Sequence, residues 1–70
     1  MSTIVLRYKL ADQPEVKRAM REELLYRGGL LLWDEMTTGE WFDVCVRDQL
    51  ELARKLHKIT RPWLVGWRIN

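Results

Sequence analysis

The chain has 70 residues, 47% hydrophobic and 31% charged, a balance that excludes intrinsic disorder, which requires low hydrophobicity with a large net charge. Twelve basic against ten acidic residues leave a net charge of +2. That excludes the strongly positive footprint of a phosphate-dominated nucleic-acid binder. A single domain over residues 1–70 is expected. Such a domain buries only about 60% of its unfolded surface, so oligomerisation would add stability.

One cysteine, Cys45, excludes an intramolecular disulfide and any paired-cysteine zinc site. The opening Met-Ser-Thr-Ile-Val-Leu-Arg lacks a basic segment followed by a long apolar one, so no signal peptide is expected. No apolar run reaches the roughly 20 residues of a membrane span, so no membrane partner is expected either. A reducing, cytoplasmic location is the corresponding expectation.

Thr3 to Leu10 alternates, with Ile4, Leu6, Tyr8 and Leu10 on one side and Val5, Arg7 and Lys9 on the other. Period two in β-branched and aromatic residues predicts a half-buried strand. Asp12-Gln-Pro-Glu15 has the Asp-x-x-Glu spacing of a capped helix start, with Pro14 tolerated in the first turn. Val16, Ala19, Met20 and Leu24 follow at helical spacing, and Gly28-Gly29 supplies a stop.

Leu30 to Met36 and Trp41 to Arg47 read as two strands joined by the turn Thr37-Thr38-Gly39-Glu40, an antiparallel hairpin. Asp48-Gln-Leu-Glu51 repeats the Asp-x-x-Glu start, and Leu52, Ala53, Leu56 and Ile59 give the second helix its apolar stripe. Pro62 ends it by disfavouring helical geometry in the residue before it. In a last strand Trp63, Val65, Trp67 and Ile69 alternate with Leu64, Gly66 and Arg68, the tryptophan set inward.

The order β-α-β-β-α-β predicts an α+β fold, the ferredoxin-like split sandwich: a four-stranded antiparallel sheet with both helices on one face. The uncovered face then decides function. With an even turn, Leu31, Trp33, Phe42, Val44 and Val46 share the core side, and Asp34 faces Asp43 across the hairpin on the other. A three-residue turn with a bulge at Gly39 would exchange the faces of one arm. The even turn is preferred because it buries Phe42, Val44 and Val46 together.

On that reading the open face mixes Val5, Leu30, Leu32, Trp41 and Leu64 with Arg7, Lys9, Arg47 and Arg68. Apolar area edged by arginine around an exposed tryptophan is what protein interfaces favour. Arg7, Lys9, Leu32, Trp41, Arg47 and Arg68 are therefore the candidate binding residues. Trp33, Trp63 and Trp67 are assigned to the core, where large side chains compensate for a small interior.

No catalytic constellation appears. His57 sits late in the second helix beside Lys55 and Lys58, where the helix dipole favours positive charge, and reads as a solvated helix-end residue. Cys45 reads as a small packed hydrophobe, with Arg47 nearby to favour a thiolate if the sulfur is exposed. Asp34 and Asp43 are the most specific acidic pair, most simply offset by Arg7, Lys9 or Arg47. The sharper alternative is a divalent metal held between them in a nuclease-like hydrolase. Gly28-Gly29 follows a helix, so it lacks the context of a phosphate-binding loop.

The layout resembles RNA-recognition domains in broad topology, although Trp41-Phe-Asp-Val-Cys-Val-Arg47 lacks their glycine-aromatic third-strand signature. The first expectation is a non-catalytic module that docks its open sheet face or an edge strand onto another protein or a second copy of itself. It needs no cofactor. Nucleic-acid binding through Arg7, Lys9, Trp41, Arg47 and the basic second helix is the alternative.

Overall fold

A computed structural model describes residues 2–23 and 33–70. Strand β1, Thr3–Lys9, leads through a short 3-10 turn, Leu10–Asp12, into helix α1, Gln13–Glu22. Strands β2, Asp34–Thr38, and β3, Trp41–Arg47, form a hairpin; helix α2, Leu50–Ile59, and strand β4, Leu64–Ile69, complete the chain. The fold is α+β, a four-stranded antiparallel sheet in the order β2-β3-β1-β4 with two helices. Among the described residues no helix is long and apolar enough to cross a membrane. The expected helix stop at Gly28-Gly29, together with Leu24 and Leu30 to Leu32, lies outside the described residues.

The hairpin turn is even. Thr38 pairs with Trp41, leaving a two-residue loop, Gly39-Glu40. Gly39 has φ +58, the left-handed geometry that such tight loops demand and that glycine adopts without steric penalty. Thr37 and Thr38 belong to the strand rather than the turn.

Neither Asp-x-x-Glu segment forms the expected cap. Asp12 closes the 3-10 turn in helical geometry, φ −91 and ψ 0, and its side chain makes no cap bond. A capping side chain needs an extended backbone at that position, and the 3-10 turn removes it. Gln49, not Asp48, precedes α2. Asp48 stands at φ +53 and is otherwise engaged. Its N–H donates to the Ser2 carbonyl at 2.8 Å, and its Oδ1 accepts from the Ser2 N–H at 2.8 Å.

Opposed residues of an antiparallel pair point to one face, so the register sorts every side chain. Leu6 faces Val44, Tyr8 faces Phe42 and Ile4 faces Val46. These meet Val16 and Met20 of α1 and Leu52, Ala53 and Leu56 of α2 in one buried cluster. Trp33 joins it. At its centre the Tyr8 hydroxyl meets Thr60 Oγ1 at 2.7 Å, while Thr60 donates to the Leu56 carbonyl. Both polar groups are thereby satisfied in the interior.

The last strand departs from its expected alternation. Its register against β1 shifts between Arg7, opposite Gly66, and Tyr8, opposite Leu64, leaving Val65 as an extra bulged residue. Leu64 therefore turns toward the core side, and Trp63 packs against the core from the turn before the strand. Trp67 and Ile69 face the same side as Leu6 and Ile4, yet they are 56% and 62% exposed. The expectation that Val65, Trp67 and Ile69 are buried is overturned, because β4 is the sheet's edge and α2 does not extend over it.

Candidate functional site

Two surfaces offer themselves. On the sheet face away from the core, the register brings together Arg7, Lys9, Trp41, Arg47 and Arg68, as expected, but Trp41 is half-buried rather than exposed and Val5, expected open beside them, is buried; Leu32 lies outside the described residues. Arg7 lies between two partners. Its Nε and Nη2 donate to Asp43 Oδ1 and Oδ2 at 2.9 and 3.0 Å, a bidentate pair, and its guanidinium stands 5.3 Å over the Trp41 ring. The hydrogen bonds to Asp43 raise the Arg7 pKa against the opposing effect of desolvation. Arg47 pairs with Asp34 at 3.4 Å. The two arginines thus spend their charge on carboxylates of the same face, and Arg7 occupies the ring surface a stacking base would use.

The acidic pair is differently placed from the expectation. Asp34 stands opposite Cys45 and Asp43 opposite Met36, so the carboxylates are diagonal rather than directly across the hairpin. The strand runs two residues further toward the turn than its apolar pattern indicates, and this sets the offset. Among the described residues no group of three or more potential metal ligands occurs.

Cys45 is half-buried beside Val5. Burial first, then the Asp43 and Asp34 charges, push its thiol pKa up, and Arg68 and Arg47 offset this only in part. The expectation that Arg47 favours a thiolate is corrected: desolvation and two carboxylates outweigh it.

The second surface lies where α2 meets β4. Ile4, Leu6, Leu50, Ala53, Arg54, His57, Trp67 and Ile69 line a groove of about 320 Å³. Leu50, Trp67 and Ile69, each more than half exposed, supply its apolar mouth. His57 is not merely a solvated helix end: it is half-buried and meets Trp67 edge-on, ring centroids 6.5 Å apart at 85°.

The sheet's two edges contrast. β2 is the five-residue segment Asp34-Glu-Met-Thr-Thr38, exposed throughout. Its acids are held, Asp34 by Arg47 and Glu35 by Lys17 at 3.2 Å, and a short charged edge resists pairing with other strands. β4, Leu64-Val-Gly-Trp-Arg-Ile69, carries one charge and three large exposed apolar side chains. Thr3 and Asn70 exchange both backbone hydrogen bonds, N–H of Asn70 to Thr3 at 2.8 Å and the reverse at 3.4 Å. Alternation then turns the N–H and C=O groups of Trp67 and Ile69 outward, away from β1. Backbone donors and apolar side chains are offered by the same two residues.

The alternation of the last strand assigns both Trp67 and Ile69 to the core, and no sequence pattern marks Leu50 for binding. The signal was available in the element order, since the last strand of β-α-β-β-α-β neighbours only the first and so stands at an edge. Comparison of the chain with protein-family models, curated proteins and solved structures finds no match.

Proposed function

We propose that this chain is a non-catalytic protein-interaction module that docks another polypeptide along β4 and the groove beside α2. The observation that carries it is the coincidence of outward-turned backbone groups and exposed apolar side chains at Trp67 and Ile69, continued by Leu50 across the groove. Adding a strand to a sheet edge supplies main-chain hydrogen bonds for affinity, while pockets beside the edge select alternate side chains. Exposed aromatic residues of this kind dominate interface energetics. We read the frame as the ferredoxin-like split sandwich, which the β2-β3-β1-β4 order and the core shared by both helices support. A single cysteine, with no partner for an intramolecular disulfide, agrees with work in a reducing, cytoplasmic compartment.

Trp67→Ser tests the reading. Because Trp67 already stands in solvent, the variant should keep its fold and its thermal midpoint within a few degrees. Recovery of the bound partner with the tagged chain should fall about tenfold or more. Equal recovery would contradict the proposal.

A further inference from the structure

Resting on that reading, we infer that the segment docked on β4 is an extended acidic peptide, apolar side chains alternating with carboxylates. The argument is charge complementarity around a defined edge. A strand added to β4 places successive side chains above and below the sheet. On the core side they meet Leu50, Trp67, Arg54 and His57; on the other side they meet Arg68.

Arg54 and Arg68 therefore flank the same edge from opposite faces, and neither forms an ion pair with a described residue. Four other basic side chains are held, Arg7 by Asp43, Arg47 by Asp34, Lys17 by Glu35 and Arg18 by Glu15, so among the described residues Arg54 and Arg68 are the unpaired arginines that border the β4 edge. The groove lining contains no carboxylate, and α2 adds Lys55 and Lys58 against the single acid Glu51. A second copy docked edge to edge would bring another Arg54 and Arg68 to this cationic rim, whereas an acidic strand neutralises both while its apolar residues fill the mouth.

The test is a titration of the isotope-labelled full chain with two blocked hexapeptides, one alternating valine with glutamate and the other valine with lysine. The acidic peptide should shift the amides of residues 50, 54, 57 and 65–69. Its affinity should fall about tenfold or more in the Arg54→Glu, Arg68→Glu variant, and weaken as salt is raised. Ile69→Pro should abolish binding while leaving the fold intact, because the N–H it removes faces outward.

Equal binding of the lysine peptide, or no loss on charge reversal, overturns the acidic assignment and leaves the docking edge standing. Concentration-dependent self-association through β4, or displacement of the acidic peptide by an oligonucleotide, overturns it by naming another occupant. Absence of any binding at β4, together with full partner recovery by Trp67→Ser, overturns both this inference and the reading beneath it.

Discussion

Tyr8 and Thr60 hold their hydroxyls 2.7 Å apart in the interior, joining β1 to the end of α2 across 52 residues of chain. Thr60 gives its own hydrogen to the Leu56 carbonyl, so in the neutral protein Tyr8 is the donor between them. Burial pushes the Tyr8 pKa up to about 12; Thr60, able to turn its hydrogen toward a phenolate, pulls weakly the other way.

A folded-state pKa raised above the unfolded value of 10 gives stability that is complete below pH 10 and is lost as pH rises toward 12. The loss is on the order of 2–3 kcal/mol over that window. Tyr8→Phe should cost about 1 kcal/mol at pH 8 through the missing hydrogen bond. Denaturant titrations at both pH values should show this deficit shrinking or reversing by pH 12. A constant deficit across the window would contradict the account.

On the opposite face the Arg7–Asp43 pair is unequal in its surroundings. The Asp43 side chain is 5% exposed and that of Arg7 33%. Removing the arginine strands a carboxylate away from water, whereas removing the carboxylate leaves a guanidinium that water still reaches. Thermal melts should therefore show Arg7→Met lowering the midpoint roughly twice as far as Asp43→Asn, or further. Arg47→Met, acting on the exposed pair with Asp34, should move it little. Asp43→Asn proving the most damaging of the three would reverse the assignment.

Much of the sheet was legible because two strands repeat one rule. Ile4, Leu6 and Tyr8 match Phe42, Val44 and Val46 at period two, and the glycine in the turn allowed a loop that keeps the faces aligned. β4 was not legible for the converse reason. A single bulged residue, Val65, breaks the alternation, and the only local sign of it is the neighbouring Gly66, which does not say which residue is extra. Nor does hydrophobicity record how far a neighbouring helix reaches, so the exposed Trp67 reads like the buried Trp33. The Asp-x-x-Glu spacings misled because a cap depends on backbone geometry, which Asp12 and Asp48 give up to a 3-10 turn and to a clasp on Ser2. The candidate face of Arg7, Lys9, Trp41, Arg47 and Arg68 did assemble; its internal ion pairs depend on register, which composition does not reveal.

The glycines of the hairpin and of β4 differ in what they require. Gly39 needs its positive φ, so Gly39→Ala should cost about 1 kcal/mol. A Cβ on Gly66 meets nothing within 4 Å and needs no left-handed geometry. Gly66→Thr should raise stability, by up to about 1 kcal/mol, since a β-branched residue suits a strand. Chemical denaturation of both variants checks the signs, and a stabilised Gly39→Ala would show the turn to be of another type.

Site-specific photo-crosslinking in cells bears most directly on the docking edge. Leu50 and Met36 are almost equally exposed, 54% and 58%, but the first borders the β4 groove and the second lies on the β2 strand. A photoreactive side chain at position 50 should give a discrete polypeptide adduct that Ile69→Pro removes, and one at position 36 should give none. Adducts from position 36 alone, or adducts from position 50 that survive Ile69→Pro, would contradict strand docking at β4.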